Sequence, residues 1–220
     1  MRAARALAAA LLLAALSAAA DDPEQLVEQA RQRWQDSPHG PMLERILPPT
    51  FEPRELPEPG SPGASLVLRY CVQCHNLPNP AMHERAKWPA VFKRMVLRMR
   101  GGGNMGALMK DMMAGVSAPT VEEAQTLLAY LQRHAQRPLD PRRTPLDAPE
   151  AQSFKLACQQ CHVLPDPRRH TASEWPAVVA RMQQNMEWMN RVVGNRHPPD
   201  EPQLRVEEIE SYLKRYARRD

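Results

Sequence analysis

The chain has 220 residues, a formal net charge of +4 and a hydrophobic content of 43%. Its basic residues are scattered rather than concentrated on one stretch, which argues against a nucleic-acid partner. All four cysteines fall within two short motifs, so no cysteine is left over for a separate disulfide framework.

The first twenty residues have the features of a secretory signal peptide. Arg2 and Arg5 precede an apolar stretch from Ala6 to Leu16, and small residues follow up to Ala20. The apolar run is shorter than the roughly 20 residues that a membrane span requires, so a membrane anchor is the weaker interpretation. We expect cleavage near Ala20, export to the periplasm and no integral membrane span.

An N-terminal region at 21–62 follows the leader. Residues 22–35 predict one amphipathic helix, because apolar residues recur there at helical spacing. Eight prolines lie between Pro38 and Pro62, and they argue against a regular helix or a central strand. We expect a Pro-rich arm lying across the first domain, and a semi-rigid tether is the alternative.

Apolar periodicity predicts two small helical domains, at 63–137 and 150–220, joined by a linker at 138–149. Thr120 followed by Glu123 is a capping-box pattern that opens the last helix of the first domain. No alternating strand pattern competes, so the expected fold class is all-α. The predicted domain helices are 64–74, 88–100 and 120–135, then 150–161, 175–193 and 203–217.

An internal repeat relates the two domains with a constant offset of 87 residues. The sequence C-x-x-C-H at 71–75 recurs at 158–162, and 15 of the 29 positions in 71–99 are identical to those in 158–186. Solenoid repeats have periods of roughly 20 to 50 residues, so this longer period indicates duplication of a whole domain.

The motif C-x-x-C-H is the attachment signature of c-type haem. The two thiols can add across the two vinyl groups of one porphyrin, and the adjacent His is placed to ligate the iron. We therefore expect two covalently bound haem c groups, with His75 and His162 as proximal iron ligands. The expected thioether residues are Cys71, Cys74, Cys158 and Cys161.

Three other uses of these cysteines are weaker. A thioredoxin-like C-x-x-C motif is expected in a βαβ setting, and nothing here predicts strands. A shared zinc site would need the two pairs closer in sequence. A disulfide within each motif would not explain why a His directly follows both.

Both repeats offer the same candidates for the second axial ligand. A Met opposite His raises the reduction potential and leaves no open site, which suits electron transfer. We prefer Met95 and Met182; Met99 and Met186, four residues later on the same helix face, are the alternatives. All four could instead fill gaps in the core, as Met does well.

Other ligand sets remain open. His83 and His170 keep the repeat offset, and a pair of imidazoles would lower the potential, although a propionate bond or a capping role suits them better. An open coordination site is a further alternative. The first domain has additional methionines near the Gly101–Gly103 loop, which could also bind Cu(I): Met105, Met109, Met112 and Met113.

The surroundings of each haem can also be predicted. Arg94 and Arg181 are candidates for propionate contacts through charge-assisted bonds. Trp88 and Trp175 are expected to wall the haem pockets. The second N–H of each ligating imidazole needs a partner, and we expect a carbonyl in the turns at 77–78 and 164–165. Domains of about 70 residues have marginal cores, so stability should depend on the cofactor.

With motif and helices placed, each half resembles a small class I cytochrome c domain, whose closing helix carries a Tyr-Leu pair, here Tyr130-Leu131 and Tyr212-Leu213. The resemblance covers 63–137 and 146–220 and implies two tandem cytochrome c-like helical domains, each wrapped around one haem. In that family the ligand Met commonly lies in a loop just before the last helix. This points to Met112 or Met113 in the first domain and to no counterpart in the second.

The expected function is one-electron transfer, as a soluble carrier or as the cytochrome subunit of an oxidoreductase rather than as an enzyme in itself. Expected partners are periplasmic redox proteins such as a dehydrogenase, a reductase or other cytochromes. The alternative is a haem enzyme, a di-haem peroxidase or sulfur-compound oxidoreductase, with one open haem site. Such an enzyme needs two unlike haems, and the close similarity of the repeats argues against it.

Overall fold

The computed structural model describes residues 22–38, 40–46, 52–103, 106–107, 110, 113–160, 162–193 and 205–219. Within these ranges the regular elements are helices, and three isolated bridges are the only β pairings. The all-α prediction is therefore confirmed. The predicted leader at 1–20 lies outside the described residues.

The described helices follow the chain in the order in which we number them. They are α1 (Pro23–Gln35), α2 (Gly40–Ile46), α3 (Pro62–Cys71), α4 (Trp88–Met99), α5 (Val121–Arg133), α6 (Ala151–Cys158), α7 (Trp175–Val193) and α8 (Val206–Arg215). Three short 3-10 helices lie at Pro53–Glu55, Pro80–Met82 and Pro167–Arg169.

Side-chain caps mark the starts of three described helices, α1, α3 and α5. Ser61 caps α3 by accepting a hydrogen bond from the amide of Ala64 at 3.2 Å. Thr120 and Glu123 form the predicted capping box of α5. The helix α2 contradicts the expectation that the prolines exclude a helix. Its only proline, Pro41, lies in the first turn, where the missing N–H costs nothing.

One hydrophobic cluster holds the first half of the described chain together. Its centre is the contact of α3 with α5, where Val67 packs close to Leu127 and Leu131. Residues before α3 join the same cluster: Leu56 is 2% exposed, and Pro57 accepts a hydrogen bond from the Tyr130 hydroxyl at 2.6 Å. The segment at 52–61 thus contributes to this core.

A second cluster occupies the second half. Phe154 of α6 stacks on Tyr212 of α8 at 4.9 Å between ring centroids, beside buried Trp175. The linker joins this cluster, because the Tyr212 hydroxyl donates to the carbonyl of Pro145 at 2.9 Å and Leu146 packs against it. Leu139, Leu146 and Ala148 of the linker thus pack against this cluster, whereas most of the other residues at 138–149 are exposed.

The two halves contact each other directly. Arg169 donates to the carbonyls of His134 and Ala135, at 3.4 and 3.3 Å, at the C-terminal end of α5. Arg181 of α7 pairs with Glu55 at 3.3 Å, and α7 also contacts α2. No helix in the described part of the chain is both long and apolar enough to cross a membrane.

Candidate haem-attachment sites

Each C-x-x-C-H motif begins where a helix ends. Cys71 is the last residue of α3 and Cys158 is the last residue of α6. The other motif residues that the structure describes lie in the irregular turn that follows. Cys71, Cys74 and Cys158 are half-buried, and Cys161 lies outside the described residues.

The two motif imidazoles have the same hydrogen-bond geometry. His75 Nδ1 lies 2.8 Å from the carbonyl of Asn76, and His162 Nδ1 lies 2.8 Å from the carbonyl of Val163. An Nδ1–H that donates to a carbonyl leaves the Nε2 lone pair available for a metal, as in most His-ligated sites. We expected the carbonyl within the turns at 77–78 and 164–165, and this was wrong by one residue, because each ring contacts the carbonyl of the residue that directly follows it.

The thiols of the first motif lack the character of a redox-active dithiol. Burial raises the pKa of Cys71 to about 12, with a smaller effect from the neighbouring Cys74. Burial also raises the pKa of Cys74. Disulfide oxidoreductases need a lowered thiol pKa, so the thioredoxin-like alternative is disfavoured.

In the described ranges no three His, Cys, Asp or Glu residues are grouped to hold a metal ion.

The turn that follows each motif contains the same buried hydrogen bond in both repeats. The Trp88 indole donates to the carbonyl of Pro80 at 2.9 Å, and the Trp175 indole donates to that of Pro167 at 2.8 Å. Both indoles are buried, so each carbonyl is satisfied away from water. The repeat in sequence is therefore also a repeat of buried hydrogen bonds.

His83 and His170 occupy equivalent places at the ends of these turns. Each ring packs edge-on against the Trp of its own repeat, at 5.1 Å from Trp88 and 4.8 Å from Trp175. Burial lowers the pKa of both imidazoles. Their carbonyls accept backbone bonds from residues that follow the last helix of each half, so these residues have a structural role irrespective of any ligand.

Met113 contacts the first motif. Met113 Sδ lies 3.6 Å from Cys74 Sγ, on the segment that leads into α5. Gln73 fixes this segment, because its side-chain oxygen accepts from the amide of Ser117 at 2.9 Å and its nitrogen donates to the carbonyl of Ser117 at 3.0 Å. In the second motif Gln160 instead donates to its own helix, at Leu156, so the identical residue acts differently there.

The other predicted ligands lie on α4 and α7. Met95, Met182 and Met186 are half-buried, and Met99 packs against the first cluster. Met105, Met109 and Met112 lie outside the described residues.

The two predicted propionate contacts differ in their surroundings. Arg94 is exposed, whereas Arg181 is partly buried and paired with Glu55 of the first half. The repeat therefore conserves the residue type but not its neighbour.

An open, shallow depression of about 480 Å³ lies beside the second motif, and its surface is mostly apolar. The lining residues are Pro138, Leu139, Pro141, Leu146, Gln159, His162, Val163 and Leu164. The linker thus forms one side of a surface depression whose other side carries the predicted proximal ligand.

No sequence motif points to Gln136, which joins the end of the first half to the second motif. It is 5% exposed, and its Nε2 lies 2.8 Å from the carbonyl of Val163 and 3.2 Å from His162 Nδ1. Its backbone amide donates to the carbonyl of His83 at 2.9 Å. Neither motif spacing nor the repeat could reveal this contact, because it crosses between the two repeats.

Comparison with known proteins identifies no relative: no family model, curated protein or solved structure matches the chain.

Proposed function

We propose that this protein carries two covalently attached haem c groups and transfers single electrons between periplasmic redox partners, as a soluble carrier or as a cytochrome subunit. The observation that carries the proposal is the duplicated C-x-x-C-H motif with the same Nδ1-to-carbonyl geometry at His75 and His162. Each imidazole then offers Nε2 beside thiols that lie at the end of a helix.

The residues present fit this cofactor. The thiols of Cys71 and Cys74 and the thiols of Cys158 and Cys161 would hold one porphyrin each. The open, mostly apolar depression beside His162 offers a surface against which a porphyrin face can pack. When bound, each haem supplies an iron that exchanges one electron between its Fe(III) and Fe(II) states.

The protein itself would tune that exchange through ligand geometry and burial. The carbonyls of Asn76 and Val163 orient the imidazoles and raise their basicity. The buried bonds of Trp88 and Trp175 fix the turns that follow the motifs. These contacts reduce rearrangement between the two redox states, which favours a carrier.

For the distal ligands we propose Met95 and Met182, with Met99 and Met186 as the alternatives on the same helices. The contact of Met113 with Cys74 supports a second assignment for the first haem, because this sulfur already lies at the motif.

Haem content tests the proposal directly. The exported protein, produced in a host that matures c-type cytochromes, should contain two haems per chain by pyridine haemochrome assay, and intact mass should show both as covalent. Replacing Cys71 and Cys74 together by Ala should leave one haem per chain, and so should replacing Cys158 and Cys161. A purified protein without covalent haem would refute the proposal.

Optical spectra test the ligands. We expect the weak far-red Fe(III)–thioether absorption band for both haems, and we expect Met95→Leu and Met182→Leu each to remove half of it. Loss of half of the band in Met113→Leu, together with an unchanged band in Met95→Leu, would instead assign Met113 to the first haem. The reduced protein should not bind carbon monoxide, and stoichiometric uptake at one haem would favour the enzyme alternative.

A further inference from the structure

Gln136 lies at the boundary between the two halves and faces both. Its backbone amide bonds to the carbonyl of His83 in the first half, at 2.9 Å. Its side chain extends into the second half, where Nε2 contacts the carbonyl of Val163 and Nδ1 of His162. A residue of the first half thus reaches the proximal ligand of the second haem.

The Gln136 side-chain amide is only partly satisfied at this position. Its Oε1 atom is buried and has no hydrogen-bond partner among the described residues. A buried polar atom without a partner destabilises the folded state, because it loses its bonds to water. An apolar side chain of the same length would avoid that destabilisation, so packing alone does not account for a glutamine at this position.

The contact has a definite chemical effect on the imidazole. With iron on Nε2, Nδ1 of His162 carries its proton and donates to the carbonyl of Val163, so the ring and the Gln136 amide share one acceptor. Sharing weakens the bond from the imidazole, which lowers the electron donation of the ligand to iron. The positive end of the amide dipole, 3.2 Å from Nδ1, also disfavours the additional positive charge of the Fe(III) state.

The second repeat provides an internal comparison. Arg218 follows α8 as Gln136 follows α5, and its amide donates to the carbonyl of His170 at 3.0 Å. Its guanidinium, however, is exposed and lies 3.7 Å from Glu174. The backbone bond is thus common to both repeats, whereas the side-chain contact with a proximal ligand belongs to Gln136.

We infer that Gln136 is a positioning residue for the proximal ligand of the second haem, and that it raises the reduction potential of this haem and makes the two haems unequal. The inference rests on the proposed function. The contact between the two halves then takes part in setting the potential, since separating the halves would remove the Gln136 amide from His162.

The test is a potentiometric titration of the holoprotein carrying Gln136→Met, which keeps the side-chain length and removes the donor. We expect one of the two potentials to fall by about 59 mV, equivalent to a tenfold change in the Fe(III)/Fe(II) ratio of one haem. The hyperfine-shifted Nδ1–H resonance of one ligating imidazole should move, and the other should not. Gln136→Asn, which withdraws the amide by one methylene, should shift the same potential in the same direction.

Arg218→Met is the matched control and should leave both potentials unchanged. The haem content of every variant is measured first. Two haems per chain with unchanged potentials in both Gln136 variants would overturn the inference and leave the proposed function intact. An equal shift of both haems would also overturn it, because that would report a general change. Absence of covalent haem in the unmutated protein would instead refute the proposed function.

Discussion

Gly63 of α3 lies directly against the Tyr130 side chain of α5. A Cβ atom at this position would lie 2.6 Å from Cγ of the Tyr130 ring, closer than side-chain atoms normally pack. Tyr130 cannot easily move away, because its hydroxyl is bonded to the carbonyl of Pro57. Glycine is therefore required here by packing.

We expect Gly63→Ala to destabilise the holoprotein by about 1–3 kcal/mol, the usual cost of overpacking a core. The measurement is the free energy of unfolding in denaturant, followed by far-UV circular dichroism. Gly60→Ala is the control, since a Cβ there has no neighbour within 4 Å and should change stability by less than about 0.5 kcal/mol. Equal effects of the two substitutions would contradict the packing argument.

At the candidate sites, the sequence predicts the residues of local motifs but not the contacts between distant segments. The motif imidazoles and thiols are identifiable because their chemistry depends on a spacing of a few residues. The contact of Met113 with Cys74 depends on how Gln73 holds a loop 44 positions away. Gln136 lies outside the two aligned 29-residue segments, and only the packing of the two halves brings it to His162.

Among the elements, α5 is tied to its surroundings through one carboxylate. Glu123 accepts from the amide of Thr120 at 2.9 Å and from the hydroxyl of Tyr70 at 2.7 Å, and it pairs with Arg69 at 3.3 Å. The first bond closes the capping box, and the other two connect α5 to α3. One side chain thus stabilises both a helix start and a helix–helix contact.

Glu123 should make the stability of the first half depend on pH. The backbone bond from Thr120, followed by the Tyr70 bond, holds the pKa of Glu123 below its ordinary value. A carboxyl whose pKa is lower in the folded state stabilises fully above the unfolded value of about 4.3 and ceases to do so as pH falls through the folded value. We expect Glu123→Gln to lower the unfolding midpoint at pH 7. As the pH falls from 5 into the acid range, the midpoint of this variant should decrease less than that of the unmutated protein.

Glu122→Gln is the matched control, because this neighbour lies exposed in the same helical turn. Unfolding midpoints of both variants and the unmutated protein are compared across the pH series. A pH dependence that is the same in Glu123→Gln as in the unmutated protein would show that the carboxylate is not the titrating group.

Helix boundaries were predictable where a cap or a proline marks them, as at Thr120 and Trp88. The proline-rich segment was harder, because a count of prolines does not show where each falls within a turn. Pro41 is compatible with α2 only because it is the second residue of that helix. The packing of the linker on the second cluster was likewise hidden, since its prolines resemble those of an extended spacer.

At the scale of the whole molecule, Arg169 is the residue that joins the second half to the end of a helix in the first. Its guanidinium donates to the carbonyls of His134 and Ala135, which lie beyond the last turn of α5. Cations are favoured at helix C-termini, where carbonyls lack partners within the helix. The neighbouring Arg168 pairs instead with Asp166, within its own turn. Two adjacent arginines therefore differ in whether they connect the halves.

We expect Arg169→Met to weaken the coupling of the two halves by about 1–2 kcal/mol. This value lies toward the lower end of the range for hydrogen bonds from a charged donor, because both distances exceed 3.2 Å. Unfolding of the holoprotein, followed by haem absorbance and by circular dichroism, should broaden or separate into two transitions. Arg168→Met should retain the behaviour of the unmutated protein, and the same broadening there would show that the contact at α5 is not what couples the halves. Because Gln136 reaches His162 across this same boundary, weaker coupling should also bring the reduction potentials of the two proposed haems closer together.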